Sequence, residues 1–333
     1  MDKSSVERKY IFGPVPSRRL GRSLGIDLVP YKTCTYDCIY CDLGRTTQKT
    51  VARQPYVSLE EIRRELKSTL PLLSEKPNYV TVSGSGEPTL NRNLGQIIRA
   101  VKNLTSIPLA VLTNGSLLFW PDVRDDLREV DVVIPSLDAA TPLSFEHVNR
   151  PHPRLDLEEI LGGLVQFRKE FRNQIWLEVF LCRGINDERS EMEKIKRVIE
   201  RIDPDRIQLN TPVRPPAEEF ASPLTMDRLH EIADQLGRRT EIISECAAPL
   251  GDRFDPNTGE EILELVKRRP CAVSDISKAL GIHPEVVVKQ LANLEKAGLV
   301  HYYLYQHACY YEPIRRNLSE GIAPDGKDGT IHQ

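Results

Sequence analysis

The sequence predicts an α/β protein: a parallel sheet with crossover helices, followed by a small, mainly helical module. Three observations predict it. Short, near-continuous apolar runs alternate with stretches of helical periodicity from residue 24 to residue 210, as expected of strands buried on both faces and the helices that connect them. Polar turns follow successive apolar runs, so the candidate functional groups gather where the strands end. Beyond Pro249 the alternation stops, and a helix, a helix-turn-helix and two strand-like runs follow. At 333 residues the chain suits one domain of about 250 residues plus a small module. We expect boundaries at 1–250 and 256–314, with 315–333 a disordered tail poor in apolar residues.

Composition excludes several classes. With 40% hydrophobic residues, 28% charged residues and a net charge of -3, the chain reads as an ordinary globular protein without the basic excess of a general nucleic-acid binder. Residues 1–9 have no apolar core and do not form a signal peptide. No run approaches the roughly 18 apolar residues of a membrane span, so no membrane partner is expected. Seven cysteines, an odd number, argue for a reducing cytoplasm and against a disulfide framework.

Taken in order, Gly and Pro punctuation over residues 12–21 predicts a shaped lead-in loop before a strand at 24–29. Arg18 and Arg19 in that loop match phosphate or carboxylate geometry, or form a solvated basic loop. The next stretch is Cys34-Thr35-Tyr36-Asp37-Cys38-Ile39-Tyr40-Cys41. Thiolates at this spacing select a soft metal centre. Structural zinc needs four protein ligands, and no histidine or fourth cysteine lies within the next hundred residues. A [4Fe-4S] cluster held by three cysteines keeps one iron open. Three buried core cysteines are the other reading, but these sit among Thr, Asp, Tyr and Lys.

Ser58 with Glu61 forms a capping box that starts a helix to about residue 73. A strand at 79–83 runs into Gly84-Ser85-Gly86-Glu87-Pro88. Glycines there let the backbone approach a ligand, and Glu87 can accept from an ammonium. Helices are predicted at 91–104, 122–128, 157–171 and 189–202, and strands at 109–112, 130–134, 175–181 and 206–210. Asn114, Ser136, Asp138 and Asn210 mark successive strand ends. Asn114 also serves simply as a turn residue before Gly115. Glu178 lies inside an apolar strand on the side of Trp176 and Phe180, where a buried carboxylate must be paired or functional. Arg150 and Arg214 sit in proline-stiffened loops past strand ends, as substrate cations or as exposed loop charge. Cys182, Cys246, Cys271 and Cys309 read as structural.

The CxxxCx(aromatic)C spacing, with Tyr40 before the last cysteine, resembles the signature of the radical S-adenosylmethionine (radical SAM) superfamily. The resemblance implies a partial barrel of six β/α units, open on one side. It makes Cys34, Cys38 and Cys41 the cluster ligands, with S-adenosylmethionine (SAM) chelating the open iron. The turn at 84–88 is similar to the family's GGEP motif, with Ser85 in place of the second glycine, so Gly84, Gly86 and Glu87 hold the SAM amino group. Tyr40, Asn114, Ser136, Asp138 and Asn210 are the further cofactor-binding candidates, and Arg18, Arg19, Arg150, Glu178 and Arg214 the substrate candidates. The implied activity is reductive cleavage of SAM to a 5'-deoxyadenosyl radical. The implied partners are a flavodoxin- or ferredoxin-type electron donor and an unknown substrate, an anionic small molecule or RNA. Over about residues 10 to 240 the order of motifs resembles the branch of the tRNA wybutosine-synthesis enzymes and their uncharacterised relatives. Those enzymes carry a second cluster on upstream cysteines, whereas residues 1–33 contain none, so the branch name is carried without its substrate.

The C-terminal pattern, with helices at 260–268, 273–281 and 283–297 and strands at 299–306 and 308–312, resembles the winged-helix modules of transcription regulators. Between residues 258 and 313 there are six basic and seven acidic residues, which gives no general phosphate attraction. We therefore expect protein–protein contact, dimerisation or substrate presentation there in preference to DNA binding. The alternative for the whole chain is an iron-sulfur redox-sensing transcription regulator, which predicts a more basic third helix than this one.

Overall fold

The computed structural model describes residues 9–73, 75–243, 258–305 and 308–314. The expected boundaries at 250 and 256, the tail from 315 and Cys246 lie outside the described residues.

The predicted lead-in loop is a strand. β1 (Ile11–Ser17) pairs antiparallel with β2 (Gly21–Ile26), in a register that shifts between Phe12 and Val15. Its prolines lack an N–H to donate, and this is tolerated because β1 is the outermost strand of its sheet. The short strands β3 (Thr33–Cys34) and β4 (Gln48–Lys49) pair with each other and close the base of the cysteine loop. Then α1 (Leu59–Thr69) opens on the capping box, with Glu61 N–H donating to Ser58 Oγ at 3.2 Å. The helix stops four residues short of the expected 73 because Pro71 turns the chain into a 3-10 turn at Leu70–Leu72.

From here the alternation predicted by the apolar pattern holds. β5 (Tyr79–Val82), α2 (Leu94–Leu104), β6 (Leu109–Thr113), α3 (Pro121–Asp126) and β7 (Val132–Pro135) follow in order. After α4 (Pro142–Val148) come α5 (Leu157–Glu170), β8 (Gln174–Phe180), α6 (Arg189–Ile202) and β9 (Arg206–Asn210). Then α7 (Met226–Leu236) leads to β10 (Thr240–Ile242). The sheet order is β1-β2-β5-β6-β7-β8-β9-β10, and every pairing after β1 is parallel. Six of these strands were legible as apolar runs. Of the helices, α4 and α7 were not predicted: α4 has seven residues, and α7 lies in a polar stretch that shows only Leu229, Ile232 and Leu236 to the core.

Leu66, Leu94, Ile98, Phe167 and Ile195 from the helices pack on Leu24, Val80, Val111, Val133 and Leu177 of the strands in one continuous core. A second, smaller core gathers Ile262, Val266, Cys271, Ile276, Val287, Leu291 and Val300. It lies between α8 (Thr258–Arg268), α9 (Val273–Leu280), α10 (Pro284–Lys296) and a sheet of β11 (Cys271–Ala272), β12 (Val300–Tyr305) and β13 (Ala308–Pro313), ordered β11-β13-β12. This is the winged-helix arrangement. Gly281, with φ 65°, ends α9 in the left-handed conformation that closes its helical turn.

One side chain ties the first strand to the first helix. Glu65, 5% exposed on α1, accepts from the backbone N–H groups of Lys9, Tyr10 and Ile11 at 3.3, 3.0 and 3.0 Å. The edge strand thus pairs on one side with β2 and on the other with a carboxylate. Glu65→Ala leaves those donors unpaired and is expected to lower the unfolding free energy by about 1–3 kcal/mol in urea titrations, with Glu65→Gln losing less because one acceptor oxygen remains.

Candidate active site

Because the strands from β2 to β10 are parallel, their C-terminal ends share one rim, the usual place for a site in such folds. The cysteine loop lies on that rim and is fixed by backbone bonds from several elements. Lys32 N–H donates to Ser85 O at 2.7 Å, and Asp37 and Ile39 donate to the carbonyls of Asn149 and Val148 at 3.0 Å each. His152 N–H donates to Thr35 O at 2.9 Å. The loop is therefore held both by the 84–88 turn and by the segment after α4.

Each cysteine sulfur has an N–H donor. Asn114 Nδ2 lies 3.5 Å from Cys34 Sγ, Asn149 Nδ2 3.6 Å from Cys38 Sγ, and Lys32 Nζ 3.5 Å from Cys41 Sγ. Burial, reinforced by the nearby Glu87 carboxylate, pushes the Cys34 thiol up to about 12. Burial and Asp138 hold Cys38 well above the ordinary thiol range, and burial raises Cys41. Thiolates form in such surroundings when a cationic centre binds them. Among the described residues, no three His, Cys, Asp or Glu side chains converge as ligands of a single metal ion. The donor set, three sulfurs on one loop with no converging fourth ligand, suits a cluster that offers separate corners, and it lacks the closed tetrahedron of structural zinc.

Glu87 is 2% exposed and is the hub of the 84–88 turn. Its Oε1 accepts from Thr89 N–H at 3.0 Å, Thr89 Oγ1 at 2.6 Å and Thr113 Oγ1 at 2.7 Å, while Oε2 accepts from Asn114 N–H at 2.7 Å. Burial raises its pKa against these bonds. The expectation that Gly84 and Gly86 make room for a ligand needs revision. A Cβ at Gly86 would collide with the Thr33 carbonyl, and one at Gly84, whose φ is 154°, with the Asp27 carboxylate. The chain's own cysteine loop and Asp27 occupy that space. Ser85, the departure from the family motif, donates N–H and Oγ to Asp27.

Asp138 is likewise committed to the fold. Tyr40 Oη donates to Oδ2 at 2.5 Å, Asn149 Nδ2 to Oδ2 at 2.8 Å and Phe180 N–H to Oδ1 at 3.0 Å. Burial pushes its pKa up to about 6, opposed by the Tyr40 and Asn149 bonds. Tyr40 stacks on Phe180 with ring centroids 3.8 Å apart. Ser136, half-buried, bridges to the backbone of Glu178.

Four sequence-predicted residues come together below the rim. Arg19 pairs with Glu178, both with 12–13% of the side chain exposed. Asn210 Nδ2 donates to Glu178 Oε1 at 2.9 Å, and Arg18 Nη1 to Asn210 Oδ1 at 3.4 Å. Glu178 is thus a paired carboxylate. Arg150 is not part of this group. It takes a left-handed φ of 47°, pairs with Glu218 at 2.5 Å and braces the loop beside Cys38. Arg214, 11% exposed, faces Asp42 at 3.8 Å. Sequence reasoning missed Lys32 and Asn149. Asn149 stood beside Arg150 in the Asn-Arg-Pro stretch, and the short amide is the one that reaches the sulfur. Lys32, at φ 60° and 3% exposed, carried a signal only as a lone lysine two residues before Cys34. Cys182 and Cys271 are fully buried.

Comparison with known proteins agrees with this geometry. Residues 28–199 match the Radical SAM superfamily, and residues 260–302 match the bacterial regulatory protein, arsR family. A UPF0026 protein of Methanocaldococcus jannaschii is 35% identical over 288 residues, 85% of each chain. A protein of Brachyspira hyodysenteriae named GTPase Obg is 37% identical over 302 residues, 90% of this chain, which spans 44% of that protein's length. The structure of TYW1 with a lysine-pyruvate adduct bound is 24% identical, with TM-score 0.46 over 65% of this chain and 72% of the other. The match over residues 28–199 takes in the strands from β3 to β8, the cysteine loop and the 84–88 turn. The chain belongs to the radical SAM superfamily and, within it, to the UPF0026 proteins.

Proposed function

We propose that this radical SAM enzyme generates a 5'-deoxyadenosyl radical and uses it on an anionic substrate. Its cofactors are those of the family, a [4Fe-4S] cluster and SAM. The observation that carries the reading is the set of three cysteine sulfurs on one rim loop, each with its own N–H donor. Cys34, Cys38 and Cys41 would hold the cluster. Bound there, it would supply the electron for reductive cleavage of SAM, the chemistry from which a 5'-deoxyadenosyl radical would arise. A flavodoxin- or ferredoxin-type donor would deliver that electron.

The chain's own residues orient and shield. Asn114, Asn149 and Lys32 stabilise sulfur charge, a means of setting cluster potential. Glu87 keeps an acceptor position on Oε2 beyond its bond from Asn114 and would take the SAM ammonium there. Gly84 and Gly86 let that turn lie against the cysteine loop. Ser136 and Asn210 stand at the ends of β7 and β9, on either side of β8, and would contact SAM or substrate there. Asp138 acts as a positioning residue through Tyr40 and Asn149. Arg18, Arg19 and Arg214 supply cationic groups for the substrate, with Glu178 orienting Arg19. Leu20, Ile134 and Trp176 pack together in an apolar cluster that would help keep water from a radical formed nearby.

A second reading is favoured by one observation, the arsR-family match over residues 260–302: a cluster-bearing regulator that contacts DNA. Against it, α10 presents only Lys289, Gln290 and Asn293 as base readers, and the module carries no basic excess.

Two measurements test the reading. Anaerobically reconstituted protein with SAM and a strong reductant is expected to form 5'-deoxyadenosine, and Cys38→Ala to fall to background. A fully loaded cluster that yields none, with SAM leaving its spectrum unchanged, would sink the enzyme reading in favour of the regulator. Asp138→Ala removes the acceptor shared by Tyr40, Asn149 and Phe180 and is expected to cost about 3 kcal/mol or more in urea unfolding of the cluster-free protein. A loss below about 1 kcal/mol would show that Asp138 is not holding the loop.

A further inference from the structure

Ser85 stands where the family motif has its second glycine, and the groups it brings are bonded. Its N–H donates to both Asp27 oxygens at 3.1 Å and its Oγ donates to Oδ2. Ser85 O accepts from Lys32 N–H at 2.7 Å, which joins the same residue to the start of the cysteine loop. Asp27 directly follows β2, and 12% of its side chain is exposed. Its ion pair comes from the winged-helix module: Arg268 Nη1, at the end of α8, lies 3.6 Å from Asp27 Oδ2.

Arg268 is seated where it can serve Asp27. Its guanidinium lies over the Phe12 ring at 3.6 Å, and that ring lies against Gly25 of β2, where a Cβ would collide with it. Val15 of β1 packs on the module's core, and Tyr310 Oη of β13 donates to Val213 O at 3.3 Å. The junction between module and barrel is thus anchored on β1 and on the loop after β9, with the ion pair inside it. Among the described residues Asp27 is the ion-pair partner of Arg268, while Glu264, one turn back on α8, takes Lys267. Burial raises the pKa of Asp27, and the Ser85 bonds and then Arg268 oppose the rise. A carboxylate with little water stays ionised when donors and a cation surround it. Here the donors come from the 84–88 turn and the cation from the module.

We propose that Arg268 is a positioning residue for SAM: acting through Asp27 and Ser85, the winged-helix module holds the 84–88 turn in the arrangement that presents Glu87 to the SAM ammonium. This rests on the reading above that Glu87 takes that ammonium. Glu87 lies two residues after Ser85, and its own N–H donates to Thr33 O at 3.1 Å. The turn is therefore tied at Ser85 by Asp27 and at Glu87 by the cysteine loop, and the module governs the first tie. Glycines on both sides of Ser85 give the segment wide freedom once that tie is loosened. Ligand affinity then falls in proportion to the fraction of molecules whose turn is in the competent arrangement. The module thereby serves the barrel as a brace of its cofactor site.

The test is SAM affinity, measured by equilibrium dialysis on oxidised, cluster-loaded full-length protein with no reductant, so that no cleavage occurs. Arg268→Gln and Asp27→Asn are each expected to weaken SAM binding about fivefold. The double variant is expected to lose no more than either alone, because both cut one chain of contacts. Ser85→Ala, which removes the Oγ bond, is expected to weaken binding as well. Arg268→Lys keeps the charge without the planar fork and is expected to fall between wild type and Arg268→Gln. Arg128→Gln, which removes an exposed pair with Asp125, is expected to bind as wild type does. If Arg268→Gln does not fold, Arg268→Lys takes its place in the cycle with Asp27→Asn. Losses that multiply in the double variant would show that Arg268 acts on the junction alone and would overturn the proposal, as would wild-type affinity in Arg268→Gln or in Ser85→Ala. Wild-type protein that binds no SAM at all would overturn the radical reading together with this one, so the two failures are distinguishable.

Discussion

A carboxylate out of water needs donors, and this rim is organised around two that have them. Glu87 ties the turn after β5 to β6, and Asp138 ties the segment after β7 to Tyr40 of the cysteine loop, to Asn149 and to β8. Burial raises the pKa of both, and the donors oppose the rise. The two knots share partners with the sulfurs, since Asn114 serves Glu87 and Cys34 while Asn149 serves Asp138 and Cys38. Sulfur positions are therefore set by the same bonds that hold the strand ends together. Preorganisation of this kind keeps three cysteine sulfurs in place on a loop that has no helix or long strand of its own.

The C-terminal module changes meaning in this setting. Its fold is that of a winged helix, and its sequence is similar to a regulatory family. Its arginine turn, though, faces inward, with Arg268 on Phe12 and Asp27. Asp27 in turn holds Ser85, so a single ion pair links the module to the turn beside the cysteine loop. Motif resemblance gives the module's shape, while the direction of Arg268 and Arg269 bears on its use.

Much of the fold was legible because parallel strands buried on both faces write themselves as apolar runs, and β9 and α6 begin and end where the pattern puts them. β1 was not legible, because the Gly and Pro residues that signal a loop are also tolerated at a sheet edge. The candidate site was legible where chemistry depends on spacing along the chain, as with Cys34, Cys38 and Cys41. It was less so where a side chain's role depends on its partner. Arg150 and Arg214 look alike in sequence, each in a proline-stiffened loop. In the structure one pairs with Glu218 and the other lies in the junction facing Asp42 at 3.8 Å.

The sequence by itself determined the class of fold, the three-sulfur loop and the family, because hydrophobic period and ligand spacing are local properties that survive without knowledge of what packs where. Tertiary structure alone decided which polar groups are spent and which are spare. Glu87, Asp138 and Glu178 have partners 26 to 159 residues away, whereas among the described residues Arg18 donates to Asn210 at 3.4 Å and the buried Arg214 Nε has no hydrogen-bond partner. That distinction is an accounting of hydrogen bonds and charge across distant segments, and only the folded chain brings those segments together.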